Sequence, residues 1–281
     1  MTETETFTTV LPDRAVITIS GEEAETFLQR VLTQGPEGVT SERAQFSALL
    51  TPQGKVLADM IILSDGDGVL YFDVPVSEVE ALTKRFTLYR LRAKAEITAR
   101  PDLAVAAARG SGAEELSMLA HASSPDPRAG EMGFRAIVPA GGPDGEVDAY
   151  HGARLGACIP EFGSDYGAGD VFSTDVNHDR LSGIDYKKGC FVGQEVASRM
   201  HRKGGVRKRT LGIHASQTLR KGAEVVAGET PVGTLTSCVE SQGLALLRID
   251  RVAKALGAGH NLTVEGQRVE LHDPLNLMQD A

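Results

Sequence analysis

The hydrophobic pattern of the chain changes near Arg209, and this change constrains the fold more than any other feature of the sequence. Beyond it, short β-branched and apolar runs alternate with glycine-containing turns. Short, evenly spaced strands of this kind are typical of a small β-barrel. The predicted barrel strands are Thr210–His214, Glu224–Ala227, Pro231–Ser237, Leu244–Ile249, Leu262–Val264 and Gln267–Leu271.

The first hundred residues have a mixed pattern instead. Apolar residues recur at helical spacing after Ala24 and again after Val79, and β-rich runs flank both segments. The order strand, helix, strands, helix, strand is the split βαβ plan of a ferredoxin-like unit. The predicted strands are Ala15–Ser20, Phe46–Leu50, Val56–Leu63, Val69–Val74 and Lys94–Ala99.

A weaker copy of this plan follows between residues 101 and 208. Strand-like runs at Leu103–Ala108 and Phe134–Pro139 alternate with helix-like runs at Ala113–His121 and Val147–Leu155, and Ser123–Gly130 is predicted to be a loop. The sequence therefore predicts an α+β fold of two ferredoxin-like α/β subdomains and a C-terminal small β-barrel. The predicted boundaries are 1–100, 101–208 and 209–281.

Composition narrows the class of protein. The net charge of −9 argues against a broad nucleic-acid interface, and no apolar run is long enough to span a membrane. The acidic, threonine-rich start lacks the features of a signal or transit peptide, so the expected location is the cytoplasm. The cysteines Cys158, Cys190 and Cys238 lie far apart, which argues against a permanent metal site held by this chain alone.

The most informative segment runs from Lys187 to Arg199 and reads KKGCFVGQEVASR. Two glycines flank the central cysteine, Cys190, and permit close approach of a ligand to the backbone. A helix opening near Gln194 would present free amides to an anion, and Lys188 adds a positive charge. A thiol placed before a helix start and beside lysines is expected to be reactive, because such surroundings favour the thiolate.

A structural interpretation of the same residues stays open. A cysteine in a glycine turn is often buried, and Glu195 and Arg199, four residues apart, often form a solvated ion pair. The basic residues after the motif could likewise be a solvated linker into the barrel. Alternatively they could receive the glutamate tail of a folate or an acidic partner; they are Arg199, Arg202, Lys203, Arg207, Lys208 and Arg209.

The motif from Lys188 to Arg199 closely resembles the signature of the YgfZ family of folate-binding proteins. The likeness extends to Phe27–Gln29, Leu49–Lys55 and Gly183–Tyr186. The resemblance implies three subdomains around a central channel, tetrahydrofolate as cofactor, and a role in making or repairing iron–sulfur clusters in client enzymes. It implies folate contacts for Lys188, Gly189, Gly193, Gln194, Glu195 and Arg199, with Cys190 as the reactive thiol.

The wider superfamily includes the glycine-cleavage T-protein, a tetrahydrofolate-dependent aminomethyltransferase. Its Asp-Asp-Leu signature resembles Ala58-Asp59-Met60, so one carboxylate is missing here. Its Arg-Leu-Glu-Ala-Gly stretch resembles Arg154–Cys158, where glycine replaces the glutamate, while Glu131 lies in a segment that resembles another T-protein motif and could meet a pterin. These departures place aminomethyl transfer, or another folate-dependent transferase activity, second to an accessory role. An interaction module with a vestigial folate pocket is the third alternative.

Overall fold

The structure is a computed structural model that describes residues 6–202 and 206–281. Lys203, which belongs to the predicted basic run, lies outside the described residues. The strands of the described part are β1 (Phe7–Val10), β2 (Arg14–Ser20), β3 (Gln45–Leu50), β4 (Val56–Ser64), β5 (Val69–Pro75), β6 (Glu96–Ala99), β7 (Leu103–Arg109), β8 (Ala122–Pro125), β9 (Phe134–Pro139), β10 (Lys208–Ala215), β11 (Glu224–Ala227), β12 (Thr230–Val239), β13 (Gln242–Arg248), β14 (Leu262–Val264) and β15 (Gln267–His272). The helices are α1 (Ala24–Gln29), α2 (Val79–Tyr89), α3 (Gly112–Leu119), α4 (Val147–Gly156), α5 (Gln194–Arg202) and α6 (Ile249–Gly257).

The first sheet contains five antiparallel strands in the order β3-β4-β5-β2-β6. Alternate residues of a strand point to opposite faces of the sheet, and each face of this sheet contributes to a separate core cluster. Ile17 and Ile19 of β2 pack in one cluster with Phe27 of α1 and Phe86 of α2, so both helices cover the same face. Val16 points to the opposite face, where it packs toward the second sheet.

The second sheet has four strands in the order β1-β7-β9-β8. α3 packs on one face of it, through Leu116 against the alanine-rich strand β7. The first strand of the chain, β1, pairs with β7 and not with the first sheet. Strand β8 overlaps the start of the predicted loop Ser123–Gly130. The sequence did not reveal it, because this short edge strand ends in a proline and has no alternation of apolar and polar residues.

The last part of the chain forms a closed barrel with strand order β10-β13-β12-β11-β14-β15, closed by pairing of β10 with β15. All six predicted strands are present, which confirms the predicted barrel and, with the mixed α/β body, the fold class. Helix α6 is an unpredicted addition. Ile249, assigned from the sequence to the end of a strand, begins this helix and is buried with Val252 against the barrel core.

The barrel is fixed to the body through Arg209. Its guanidinium is buried and donates hydrogen bonds of 2.6 Å to Asp179 Oδ1 and 2.6 Å to Asp280 Oδ2. This geometry corrects one part of the sequence interpretation, since Arg209 is an internal anchor and contributes nothing to a basic surface. No helix of the described residues is long and apolar enough to cross a membrane.

A buried network of charged groups lies where the two sheets meet. Arg14 bridges Asp59 and Asp73 of the first sheet, and Arg135 of the second sheet lies 3.5 Å from Asp73. Asp126 receives both Arg135 and a bidentate pair of hydrogen bonds, 2.9 and 2.7 Å long, from Arg128. Removing one member of a buried ion pair is strongly destabilising, because the partner charge stays buried and uncompensated.

We therefore expect Asp126→Ala to lower the free energy of unfolding by about 3–5 kcal/mol, measured by urea denaturation monitored by circular dichroism. The matched control is Glu80→Ala, which removes an ion pair with Lys84 that is exposed on both sides. That change should leave the unfolding midpoint where it is. Equal midpoints for the two variants would contradict a stabilising role for the network.

Candidate functional site

Two glycines place the motif against the turn between β3 and β4. Gly193 has a φ of +80°, and a Cβ there would lie 2.6 Å from Thr51 O. Gly54 in the facing turn also has a φ of +80°, and its Cβ would lie 2.9 Å from Val196 Cβ. Larger residues at either position would separate the two segments. Gly189, in contrast, has open space around its Cα, so no close approach requires a glycine there.

Lys188 anchors the loop that carries the cysteine. Its ammonium donates a 2.7 Å hydrogen bond to Leu32 O, just after α1, and lies 5.3 Å from the Phe191 ring centre. Burial lowers the pKa of Lys188 to about 8, against the opposing attraction of Asp185. Asp185 Oδ1 also accepts the backbone amides of Lys187 and Lys188. The ammonium group of Lys188 is therefore already engaged in a hydrogen bond within the protein.

Cys190 is the exposed thiol at the end of this anchored loop. With Gly189 it lines a cleft of about 480 Å³, whose opposite wall is formed by Glu25 and Gln29 of helix α1 and by Arg30 just after it. The family resemblance includes Phe27–Gln29 of α1, but no local pattern in the sequence indicated that this helix forms the other wall of the cysteine cleft.

The other two cysteines lie in different surroundings. Cys158 is buried, and burial raises the pKa of its thiol to about 12. Cys238 is half-buried, with its Sγ 3.3 Å from Leu219 O. Within residues 6–202 and 206–281, no group of three or more His, Cys, Asp or Glu side chains could hold a metal ion.

Helix α5 presents the rest of the motif at the surface. Glu195 and Arg199 form an exposed ion pair with each other, as the structural interpretation predicts. They line a separate cleft of about 510 Å³ with Gln194 and Arg202. The amide of Gln194 already donates to Phe191 O at 3.2 Å, so it is not a free donor at the helix start.

Glu131 lies apart from the motif. It occupies an exposed 3₁₀ turn, Gly130–Met132, that precedes β9, and its carbonyl oxygen accepts a hydrogen bond from Arg109. Neither of the two clefts lined by motif residues includes Glu131. The structure therefore does not bring together the two sets of residues that the resemblance implies for folate.

The interior around the position of the missing carboxylate is closely packed. Ala58 is fully buried, and the neighbouring Asp59 accepts hydrogen bonds from Arg14, from Tyr166 Oη at 2.7 Å and from the Phe162 amide. Burial opposes the ionisation of Asp59, but these partners, Arg14 foremost, hold its pKa below the usual value. The cavity beside Arg14 and Phe162 has a volume of only about 10 Å³.

A roomier cleft of about 270 Å³ opens between the two sheets. Its lining includes Gln34, Arg43, Gln45, Phe46 and Asp126. Gln45 is buried, and its Oε1 has no hydrogen-bond partner among the described residues. No local sequence pattern indicates this cleft, because its walls come from segments far apart in the chain.

The three cysteines should differ sharply in reactivity. We expect iodoacetamide to modify Cys190 of the folded protein first, then Cys238, and Cys158 only after unfolding, because burial of Cys158 withholds both access and the thiolate. Mass spectrometry of a timed labelling series at several pH values measures the order. Labelling of Cys190 no faster than Cys158 would make Cys190 a packing residue.

Both the barrel and the fold of the whole chain resemble those of known proteins. The barrel, over residues 207–278, matches the family model for the CAF17 C-terminal beta-barrel domain. The structure matches the aminomethyltransferase T of the glycine cleavage system from Bartonella henselae, with a TM-score of 0.73 over 95% of this chain and 85% of that one. At 17% identity this match establishes the T-protein-like fold alone.

Curated sequences give a nearer relationship. The chain is 30% identical to the human mitochondrial iron–sulfur cluster assembly factor IBA57, over 93% of this chain and 82% of that protein. It is 31% identical to the mitochondrial IBA57 homologue of Neurospora crassa over 72% of this chain, and it spans about half (52%) of that relative.

These relatives correct one expectation. The predicted cytoplasmic location is wrong by this comparison, because the proteins from Neurospora crassa, Homo sapiens and Mus musculus are all named as mitochondrial. The predicted kinship with iron–sulfur cluster assembly proteins is confirmed by these relatives, and the predicted likeness to the T-protein is confirmed as a likeness of fold. The likeness of this chain to the human protein extends over nearly the whole chain, and it shows that the chain belongs to the IBA57 family of iron–sulfur cluster assembly factors.

Proposed function

We propose that this protein assists the assembly or repair of iron–sulfur clusters in client enzymes, with Cys190 as the residue that meets the cluster. The observation that carries the proposal is the exposure of this one thiol on an anchored loop, while Cys158 is buried and Cys238 is half-buried. The names of the IBA57 relatives support the same role.

The ligand count supports a shared site. Iron–sulfur clusters are usually held by about four cysteines, and Cys190 has no cluster of metal-binding side chains around it in the described part of the chain. A cluster that contacts Cys190 therefore takes its other ligands from a partner protein or from a second copy. Such contact is transient, which suits a protein that passes its cargo on.

The surroundings of Cys190 restrict its position. The loop is held at one side by the bond from Lys188 to Leu32 O, and at the other by the contact of Gly193 with the β3–β4 turn. A reactive group works best when neighbouring contacts fix its geometry. Lys188, Gly193 and Gly54 of the facing turn thus fix the position of Cys190.

Substitution of the thiol tests this role. In a strain that lacks the gene, Cys190→Ser should fail to restore the activity of iron–sulfur enzymes, because a hydroxyl is a poor ligand for iron. The matched control, Cys238→Ser, should restore activity as the wild type does. Full restoration by Cys190→Ser would contradict the proposal.

Tetrahydrofolate is the cofactor that we propose for this role. The T-protein-like fold supports it, and the cleft of about 270 Å³ offers room for a pterin ring with amide groups from Gln34 and Gln45 on its walls. The unpartnered Oε1 of Gln45 could accept a hydrogen bond from an amino group of the ring. This cleft suits the ring better than the motif, where Lys188 is bound to Leu32 O and Glu195 to Arg199.

Calorimetric titration with tetrahydrofolate tests the cofactor and its place together. Gln45→Leu should weaken binding about tenfold, since the buried hydrogen bond is lost. The control Gln279→Leu, at an exposed glutamine, should bind as the wild type does. Weakening by Lys188→Met instead would move the site to the motif, and no binding by the wild type would contradict the cofactor.

Aminomethyl transfer remains the alternative function and is the weaker one. The first of the T-protein's two paired carboxylates has no counterpart here. Its position is occupied by an alanine, Ala58, which is fully buried within β4. Its neighbour Asp59 is bound to Arg14 and Tyr166 and is not free to take a proton from a substrate.

A further inference from the structure

Helices α1 and α2 lie side by side on one face of the first sheet, since Phe27 and Phe86 share a single core cluster with Ile17. Their outer surfaces therefore face the same side of the molecule. On that side, Gln29 and Arg30, at the end of α1, line the cleft of Cys190. Whatever approaches Cys190 across this cleft also meets the outer side of the helical layer.

Two exposed leucines stand on this layer. Leu88, near the end of α2, is 67% exposed, and Leu91, just beyond it, is 82% exposed. Leu91 also has a φ of 51°, in the left-handed region that residues with a Cβ rarely adopt. A strained backbone that holds a large apolar side chain in water brings no stability to the isolated protein.

The loop that holds Leu91 is tied to α1. Arg90 bonds back to Ala95 O, which closes the loop on itself. Glu23, at the start of α1, exchanges two bonds with Lys94: the Lys94 amide donates to Glu23 Oε2 at 2.8 Å, and the Glu23 amide donates to Lys94 O at 3.2 Å. The leucine loop thus adjoins the start of α1, a helix about 9 Å long, and the Cys190 cleft runs along the same helix.

Positive charge accompanies the leucines. Arg85 and Arg92 are exposed, and neither makes an ion pair with any residue in 6–202 or 206–281. The nearby lysines differ, because Lys84 is paired with Glu80 and Lys94 with Glu22. The patch is therefore apolar at its centre with two free guanidinium groups beside it.

We propose that Leu88, Leu91, Arg85 and Arg92 form a docking patch for the protein that shares the cluster with Cys190. The partner has an apolar pocket for the leucines, edged by carboxylates that pair with the arginines. A partner footprint of ordinary size is about 800 Å², so a partner seated on the patch can extend along α1 to the cleft. This inference rests on the proposed role of Cys190.

A lipid surface fits the patch less well. Glu22, Glu23 and Glu25 are exposed on the same helical layer, and the chain has a net charge of −9, so an anionic membrane would be repelled. A folded protein can place carboxylates opposite the arginines and leave the glutamates to solvent or to basic groups.

The strain at Leu91 gives the sharpest test. Leu91→Gly relieves the left-handed conformation and removes the apolar side chain. The variant should therefore melt no lower than the wild type, yet fail to restore iron–sulfur enzyme activity in the deletion strain. Leu88→Glu with Leu91→Glu should lower activity to that of Cys190→Ser. The control Met118→Glu, at a methionine 79% exposed on α3, should support wild-type activity.

A photoreactive amino acid in place of Leu91, and separately in place of the exposed Thr26 on α1, identifies the occupant. Adducts of both with one and the same iron–sulfur protein support the patch. Adducts with lipid or with a second copy of this chain, no adduct, or full activity of Leu91→Gly would overturn it. Loss of function in Cys190→Ser with full activity of the leucine variants refutes the patch alone, whereas an active Cys190→Ser refutes the role of the thiol.

Discussion

The whole body of this protein depends on charged groups buried where its parts meet. Arg14, at the start of β2, reaches two carboxylates of its own sheet, and Arg135 extends the network into the second sheet. Asp165 continues it outward: it pairs with Arg154 of α4 and accepts a 2.6 Å hydrogen bond from Thr236 of the barrel. Because a buried charge is tolerated only with its partners in place, these contacts specify one relative arrangement of the two sheets and the barrel.

This arrangement also decides where chemistry can occur. The network almost fills the space beside Arg14. The interior at this point therefore contains ion pairs and leaves too little volume for a ligand. Two of the open clefts lie at the edges, one between the sheets near Gln45 and one between α1 and Cys190. An exposed thiol at the surface and a closely packed interior agree with the role in cluster assembly that we propose for Cys190.

The motif around Cys190 is visible in the sequence, but the residues that it contacts in the folded protein are not. Cys190, Gly193 and the helix after them are present as expected, since glycines and helical periodicity act locally. Lys188 was expected to face an anion, yet its ammonium is bound to Leu32 O, 156 positions away in the chain. Arg209 was likewise expected at the surface and is buried in an ion pair. The sequence does not reveal whether the charged group of a lysine or arginine lies in water or beside a buried oxygen.

The sequence by itself determined the types of the main elements, the six barrel strands and the motif around Cys190, because periodicity and turn residues report local backbone preference. Tertiary structure alone decided that β1 joins the second sheet, that α1 forms a wall of the cysteine cleft, and that Leu91 is held exposed in a strained conformation. These features arise from contacts between distant segments, and the energy of such contacts depends on packing and burial that no local pattern records.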